Sequence, residues 1–223
     1  YDLGGECFLW EMATIVAGHL LGINPFDQPN VESAKILARQ MVSAYQKGGS
    51  LPELTPSLET NGIVVYATFS AKNMEEVFNS ILAKSIRGYN ASSGRSFLAF
   101  QAYVKPSDEP FAALKELRKQ LLLNNRMATT LCYCPRFLHS TGLLHKGVGG
   151  HGLFIQITAD MPEDCPIPDH AEGEESSISF GTLKMAQALG DRQALIDEGR
   201  HVIRFHIGEN IVRGLRQLTE VLA

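Results

Sequence analysis

Cysteine is scarce in this sequence: Cys7, Cys132, Cys134 and Cys165 are all that 223 residues hold. That is too few for a disulfide framework, and Cys132 and Cys134 would share one face of a strand, so all four read as reduced packing residues, which suits the cytoplasm. A long hydrophobic run is also missing. The most apolar stretch, MATIVAGHLLGI, carries a histidine and ends in a turn, short of the ~18 apolar residues of a membrane span, and no signal peptide is visible. The chain therefore reads as soluble. Excess positive charge is absent as well: 20 Lys and Arg against 24 Asp and Glu leave a net charge of −4, which gives nucleic acid no electrostatic footing. There is no repeat, no low-complexity tract and no initiating Met. The chain opens YDLGGECFLW and descends at once into an apolar helix that needs partners on every side, so it reads as a fragment.

What is present is an ordinary globular composition, 44% hydrophobic and 20% charged. Residues 8–21 are apolar on nearly all faces, so this helix should be buried, with Gly22 ending it. Val31, Ala34, Ala38, Met41 and Tyr45 recur at helical spacing and carry a second helix to about Gln46. The stretch KGGSLPELTPSLETNG then breaks it with glycine and proline and forms a linker or covering loop. From Gly62 the pattern alternates: GIVVYATF, SFLAFQAYV, ATTLCYC, GLFIQITA and HVIRFHIG read as strands, with helices between most of them. The expectation is an α/β fold with a mainly parallel sheet of about five strands, flanked by helices and preceded by two, about six helices in all. The corresponding divisions are a helical segment over 1–47, a linker over 48–61 and an α/β domain over 62–223. The Pro- and acid-rich stretch DMPEDCPIPDHAEGEESS reads as a solvated loop rather than a partner site.

Two polar segments carry candidate chemistry. In NPFDQPNVESAK, Pro29 suits the first turn of a helix, where its missing N–H has no partner to lose. Gln28 and Lys35 are about two turns apart and project from one face. A half-buried lysine there could focus positive charge on a substrate oxygen; alternatively Asp27 caps the helix, Gln28 is surface and Lys35 snorkels past Val31. The second segment, CPRFLHSTGLLHKGVGGHG, follows a strand and gathers Arg136, His139, Ser140, Thr141, His145, Lys146 and His151. Loops at the carboxyl ends of parallel strands are where such sheets bind ligands. The histidine spacing, with no carboxylate nearby, argues against a metal site, and no Gly-Lys-Ser/Thr follows the glycines to make a phosphate loop.

Both segments resemble glucose-6-phosphate isomerases. Phe26, Asp27, Gln28, Val31, Glu32 and Lys35 match a signature that lies near the end of those enzymes, and FLHSTGLLHKG is similar to their histidine-containing segment. In ordinary members the lysine segment follows the histidine segment. Here it precedes it, as in the isomerase half of bifunctional transaldolase/glucose-6-phosphate isomerase proteins. Leu143 stands where that pattern has glutamine, and Val148 interrupts its paired glycine. The resemblance implies aldose–ketose isomerisation of glucose 6-phosphate and fructose 6-phosphate, a step of glycolysis and gluconeogenesis. It implies no metal or organic cofactor, a sugar-phosphate substrate, a cytoplasmic setting, and the upstream isomerase and transaldolase portions of the same chain as partners. Lys35 would polarise the reducing end of the sugar, His139 would assist ring opening with His145 as the alternative, and Gln28, Ser140, Thr141 and His145 would contact substrate. The proton-transferring carboxylate would lie upstream in a Glu-Ser segment that this sequence lacks, so the fragment alone is expected to be inactive. The rivals are a non-catalytic sugar-phosphate-binding or scaffold domain of the same fold, and a domain that only packs against a transaldolase half.

Overall fold

Strand and helix alternate through most of the chain in the computed structural model, and the strands pair mainly in parallel. Residues 1–27, 29–85, 96–137, 140–147, 151–171 and 173–222 are described, apart from the side chains at 29–31 and 34. Two helices come first, α1 (Asp2–Leu21) and α2 (Pro29–Gly48), the second opening at the proline singled out above. A hairpin of β1 (Leu58–Thr60) and β2 (Ile63–Tyr66) follows, then α3 (Met74–Leu82), β3 (Phe97–Tyr103), α4 (Asp108–Asn125) and β4 (Ala128–Tyr133). Next come α5 (Thr141–Gly147), β5 (Gly152–Thr158), a small ribbon of β6 (Pro166–Ile167) and β7 (Ile178–Ser179), α6 (Phe180–Asp197), β8 (His201–His206) and α7 (Ile211–Glu220).

The central sheet is six-stranded, in the order β1-β2-β8-β5-β3-β4. Strands β8, β5, β3 and β4 are parallel neighbours, whereas β1 and β2 add an antiparallel edge. Each strand read from the sequence is present. The additions are β1, which falls inside the stretch read as a linker, the β6–β7 ribbon, whose first strand lies in the acidic loop and whose second follows it directly, and the short helix α5. All three are too short for hydrophobic periodicity to register.

Period-two alternation gives the sheet two unlike faces. Leu98, Phe100 and Ala102 of β3, Leu153, Ile155 and Ile157 of β5, and Ile203 and Phe205 of β8 join α3, α4 and α7 in a continuous apolar core. The intervening residues point the other way, toward α6 and α5, and include Gln101, Tyr103, Gln156, Thr158 and Arg204, all buried. Helix α2 lies outside α6 and also touches α5. The α2–α6 crossing is close because position 190 is glycine: a Cβ there would stand 2.8 Å from the Ala38 backbone nitrogen.

The expectation that the first helix is buried does not hold within this chain. Along α1 only Gly18 is buried, and Phe8, Leu9, Ile15, Val16, Leu20 and, at 69% exposure, Trp10 face outward. An all-round apolar helix demands cover on every side, and among the described residues α1 finds it at Gly18 alone, where Pro25 packs against the end of the helix. The cysteines divide in the same way: Cys132 and Cys134 pack in the interior, whereas Cys7 and Cys165 are exposed thiols rather than packing residues. Among the described residues, no helix is long and apolar enough to cross a membrane.

Candidate functional site

Chain direction reverses at the centre of the sheet. From β3 the chain moves to β4 at one edge, and from β5 it moves to β8 on the other side, so the boundary between β3 and β5 is a topological switch point. Crevices at the carboxyl ends of strands beside such a point are the usual ligand sites of open α/β sheets. At the carboxyl ends of β5 and β8, Thr158 Oγ1 and His206 Nδ1 are 3.1 Å apart, and His206 Nε2 meets Asp160 Oδ1 at 3.0 Å. The imidazole is thus fixed by a hydroxyl on one side and a carboxylate on the other.

Beneath these ends lies a buried polar network. Lys146 Nζ donates to Asp191 Oδ1 at 2.5 Å and to the Gly142 carbonyl at 3.3 Å, while Gln101 Nε2 donates to Asp191 Oδ2 at 2.9 Å. Both side chains of the Lys146–Asp191 pair have 0% exposure. Gln156 Nε2 donates to the Ala188 carbonyl, tying β5 to α6. Burial, reinforced by the Asp191 charge, raises the Tyr103 phenol well above its ordinary range and pushes the Cys134 thiol up as well. Cys134 is therefore held as a neutral thiol and is no nucleophile.

The sequence-derived candidates separate. Lys35 lies on α2, its side chain 39% exposed, and pairs with Glu32 Oε1 at 3.1 Å one turn earlier. Ser140 is exposed just before α5, and Thr141 opens that helix. His145 is buried, its ring tilted against Phe97 and edge-on to Phe154, with centroids 6.1 and 5.1 Å away. Burial is the first cause that lowers its pKa, partly opposed by the Asp191 charge. Gln28 and His139 lie outside the described residues. The contact of α2 with α5 puts the lysine segment and the Ser140–Thr141 segment on one side of the sheet. Among the described residues, no cluster of metal-ligating side chains occurs.

Sequence reading passes over Asp191, Arg192, Arg204 and the His206 arrangement. Their partners come from distant segments, Lys146 and Asp191 being 45 residues apart, and no local spacing announces them. The one available signal is an arginine in the middle of an otherwise apolar strand, HVIRFHIG.

Comparison with known proteins adds a short match. No family model matches the chain. Over 49 residues, 22% of its length, it is 49% identical to the glucose-6-phosphate isomerase of Heliobacterium modesticaldum. That match covers 10% of the relative, so the chain spans only a small part of it. A segment of this chain is thus similar to a sugar-phosphate isomerase. Among solved structures, a hypothetical protein of Thermus thermophilus overlays 56% of this chain and 35% of its own, with TM-score 0.46 and 18% identity.

Proposed function

We propose that the chain is the C-terminal part of a glucose-6-phosphate isomerase, joined in its parent to a transaldolase half, that interconverts glucose 6-phosphate and fructose 6-phosphate. The observation that carries this reading is the 49-residue segment at 49% identity to a curated glucose-6-phosphate isomerase. The exposed apolar residues of α1 support it, because a patch of that size on a soluble protein marks a surface that another body covers, here the upstream isomerase portion.

In this reading Lys35 is a catalytic residue that stabilises negative charge at the reducing end of the open-chain sugar. Its exposed pair with Glu32 is no obstacle, since such pairs are typically worth ~0–1 kcal/mol and the ammonium can turn to substrate cheaply. His139 assists ring opening, and Gln28, Ser140 and Thr141 hold the sugar. His145 contributes through packing unless α5 shifts, because its ring meets Phe97 and Phe154. The carboxylate that moves the proton between C1 and C2 comes from upstream, and acid–base chemistry of this kind is worth ~10²–10⁴-fold.

The test is a coupled isomerase assay on the full-length protein and its Lys35→Ala variant. A fall in kcat of ~10²-fold or more is expected for loss of a charge positioned against a developing oxyanion. An unchanged kcat would remove Lys35 from catalysis. Buried His145 favours one rival, a non-catalytic sugar-phosphate-binding or scaffold domain; full-length protein that binds glucose 6-phosphate without turning it over would establish that rival.

A further inference from the structure

Taking two charges out of water costs about as much as their attraction returns, and replacing a buried ion pair by apolar groups is often neutral or stabilising. The Lys146–Asp191 pair, both side chains at 0% exposure, therefore does little for stability that an apolar pair could not do. What it supplies is a single geometry, because buried charged groups that slide apart are left without partners. That geometry belongs to α5. A helix of seven residues is marginal by itself, so its place depends on what grips it.

Three devices grip its last turn. The Lys146 ammonium reaches back to the Gly142 carbonyl and across to Asp191 of α6, whose other oxygen accepts from Gln101 of β3. The Lys146 carbonyl accepts from Arg200 Nη2 at 2.5 Å, and the His145 ring lies against Phe97 and Phe154. At the opposite end the Phe137 carbonyl accepts from the N–H groups of Ser140 and Gly142, at 3.2 and 2.9 Å, and a Cβ at position 142 would stand 2.9 Å from that oxygen. Ser140 and Thr141 are thus carried on a short unit whose location is set from α6. The adjacent residue of α6 sets the other polar segment: Gly190 admits the α2 backbone at Leu37 and Ala38, within a turn of Lys35. Consecutive helical residues project ~100° apart, so positions 190 and 191 address α2 and α5 from one turn of one helix.

We propose that Asp191 is a positioning residue: through Lys146 it holds Ser140 and Thr141 where their hydroxyls meet the sugar phosphate, in register with the lysine segment that Gly190 seats beside them. A carboxylate is needed at position 191 because each of its oxygens serves a different element, one taking the Lys146 ammonium of α5 and the other the Gln101 amide of β3. An amide there has one acceptor oxygen only and cannot serve both. Asp191 touches no reacting atom in this arrangement and acts only through α5. The inference rests on the isomerase reading and adds to it the element that registers its two polar segments.

The experiment is steady-state isomerase kinetics with glucose 6-phosphate, alongside urea unfolding, on the full-length protein and its Asp191→Asn/Lys146→Met double variant. Removing both charges leaves stability close to that of the wild type, so a changed activity is not a loss of fold. KM reports only the folded molecules, and a partly unfolded sample lowers the apparent kcat without moving it. Misplacing the sugar-holding segment by about an ångström should raise KM by ~10-fold or more. An unchanged KM in a double variant that unfolds like the wild type overturns the proposal and leaves the pair a part of the fold alone. If the double variant does not fold, Gln101→Leu, which keeps the ion pair and frees Asp191 from β3, decides in the same way: a raised KM supports the positioning role and an unchanged one overturns it. A wild type without turnover removes the isomerase reading and this inference with it, whereas turnover by the wild type with KM unchanged in the variants removes this inference only.

Discussion

The two faces of the sheet are covered to a similar depth but built from different chemistry. The face under α3, α4 and α7 is apolar throughout, from Phe78 and Leu117 to Ile155 and Phe205. The face under α5 and α6 buries Gln101, Gln156, Arg204, Asp191 and Lys146 among smaller apolar patches. An apolar face tolerates any filling of the right volume, because the hydrophobic effect is non-directional. A buried polar face works only when each group finds its partner, so it fixes one arrangement and penalises all others. The first face therefore holds the fold together, and the second positions side chains capable of chemistry at the carboxyl ends of the strands. Where the polar face is paired, as at Lys146–Asp191, Gln101–Asp191 and Gln156–Ala188, it ties α5 and α6 to each other and to the sheet.

The largest expected effect contrasts two substitutions that barely alter shape. Asp191→Asn leaves Lys146 as an uncompensated buried cation and should cost ~3–5 kcal/mol in urea unfolding. Adding Lys146→Met to it should restore most of that loss, since replacing both partners is often close to neutral. On the apolar face, Leu117→Met conserves volume and should cost under ~1.5 kcal/mol. Equal losses for Asp191→Asn and Leu117→Met would mean that the polar network is no more specific than ordinary packing.

Most of the fold is legible in the sequence, and the polar face is not. The strands around Ile63, Phe100, Leu131, Ile155 and Ile203 announce themselves as β-branched and aromatic runs, and their alternation with helices implies parallel pairing. Segment 58–60 gives no such signal because three residues between prolines and glycines carry no period. The exposure of α1 escapes the sequence because periodicity reports that a helix needs cover without reporting which body supplies it. Phe97 and Phe154 enclose His145 from different strands, and the spacing His139–His145 cannot show that one of the two histidines is a core residue. In the same way Arg204 reads as a surface interruption until pairing with β2 sets it against Tyr66 and α6 closes over it.

A smaller effect separates the faces by pH. Burial lowers the pKa of His145 in the folded chain below the ~6.5 of the unfolded one. Between those values the unfolded chain binds more protons, so the contribution of neutral His145 is complete above pH ~6.5 and is lost as the pH falls toward the folded value. The slope is at most ~1.4 kcal/mol per pH unit. His145→Met should flatten the decline of stability between pH ~7 and ~5, whereas Phe78→Leu on the apolar face should lower stability without altering the slope. A residual slope is expected from His201, which burial also lowers. Parallel pH profiles for wild type and His145→Met would exclude His145 as the group responsible.

The smallest effect tests whether the contrast belongs to the sheet faces or to the helices that cover them. On the polar side, the Ser179 hydroxyl caps α6, accepting from the Thr182 N–H at 3.1 Å. On the apolar side, Asn210 caps α7, its Oδ1 accepting from the Arg213 N–H at 3.0 Å. Both satisfy one of the orphan donors of a helix start, and removing such a cap typically costs ~1 kcal/mol. Ser179→Ala and Asn210→Ala should therefore destabilise by similar amounts in thermal unfolding. Asp164 also accepts from the Gly181 N–H at 2.7 Å, so α6 retains a partner for its first turn after Ser179→Ala and its loss should be, if anything, the smaller of the two. If Ser179→Ala instead costs several times as much as Asn210→Ala, the first turn of α6 is propagating its disorder to Asp191 and Arg192 farther along the same helix. The unequal chemistry of the two faces would then depend on how well α6 is anchored, rather than on the side chains alone.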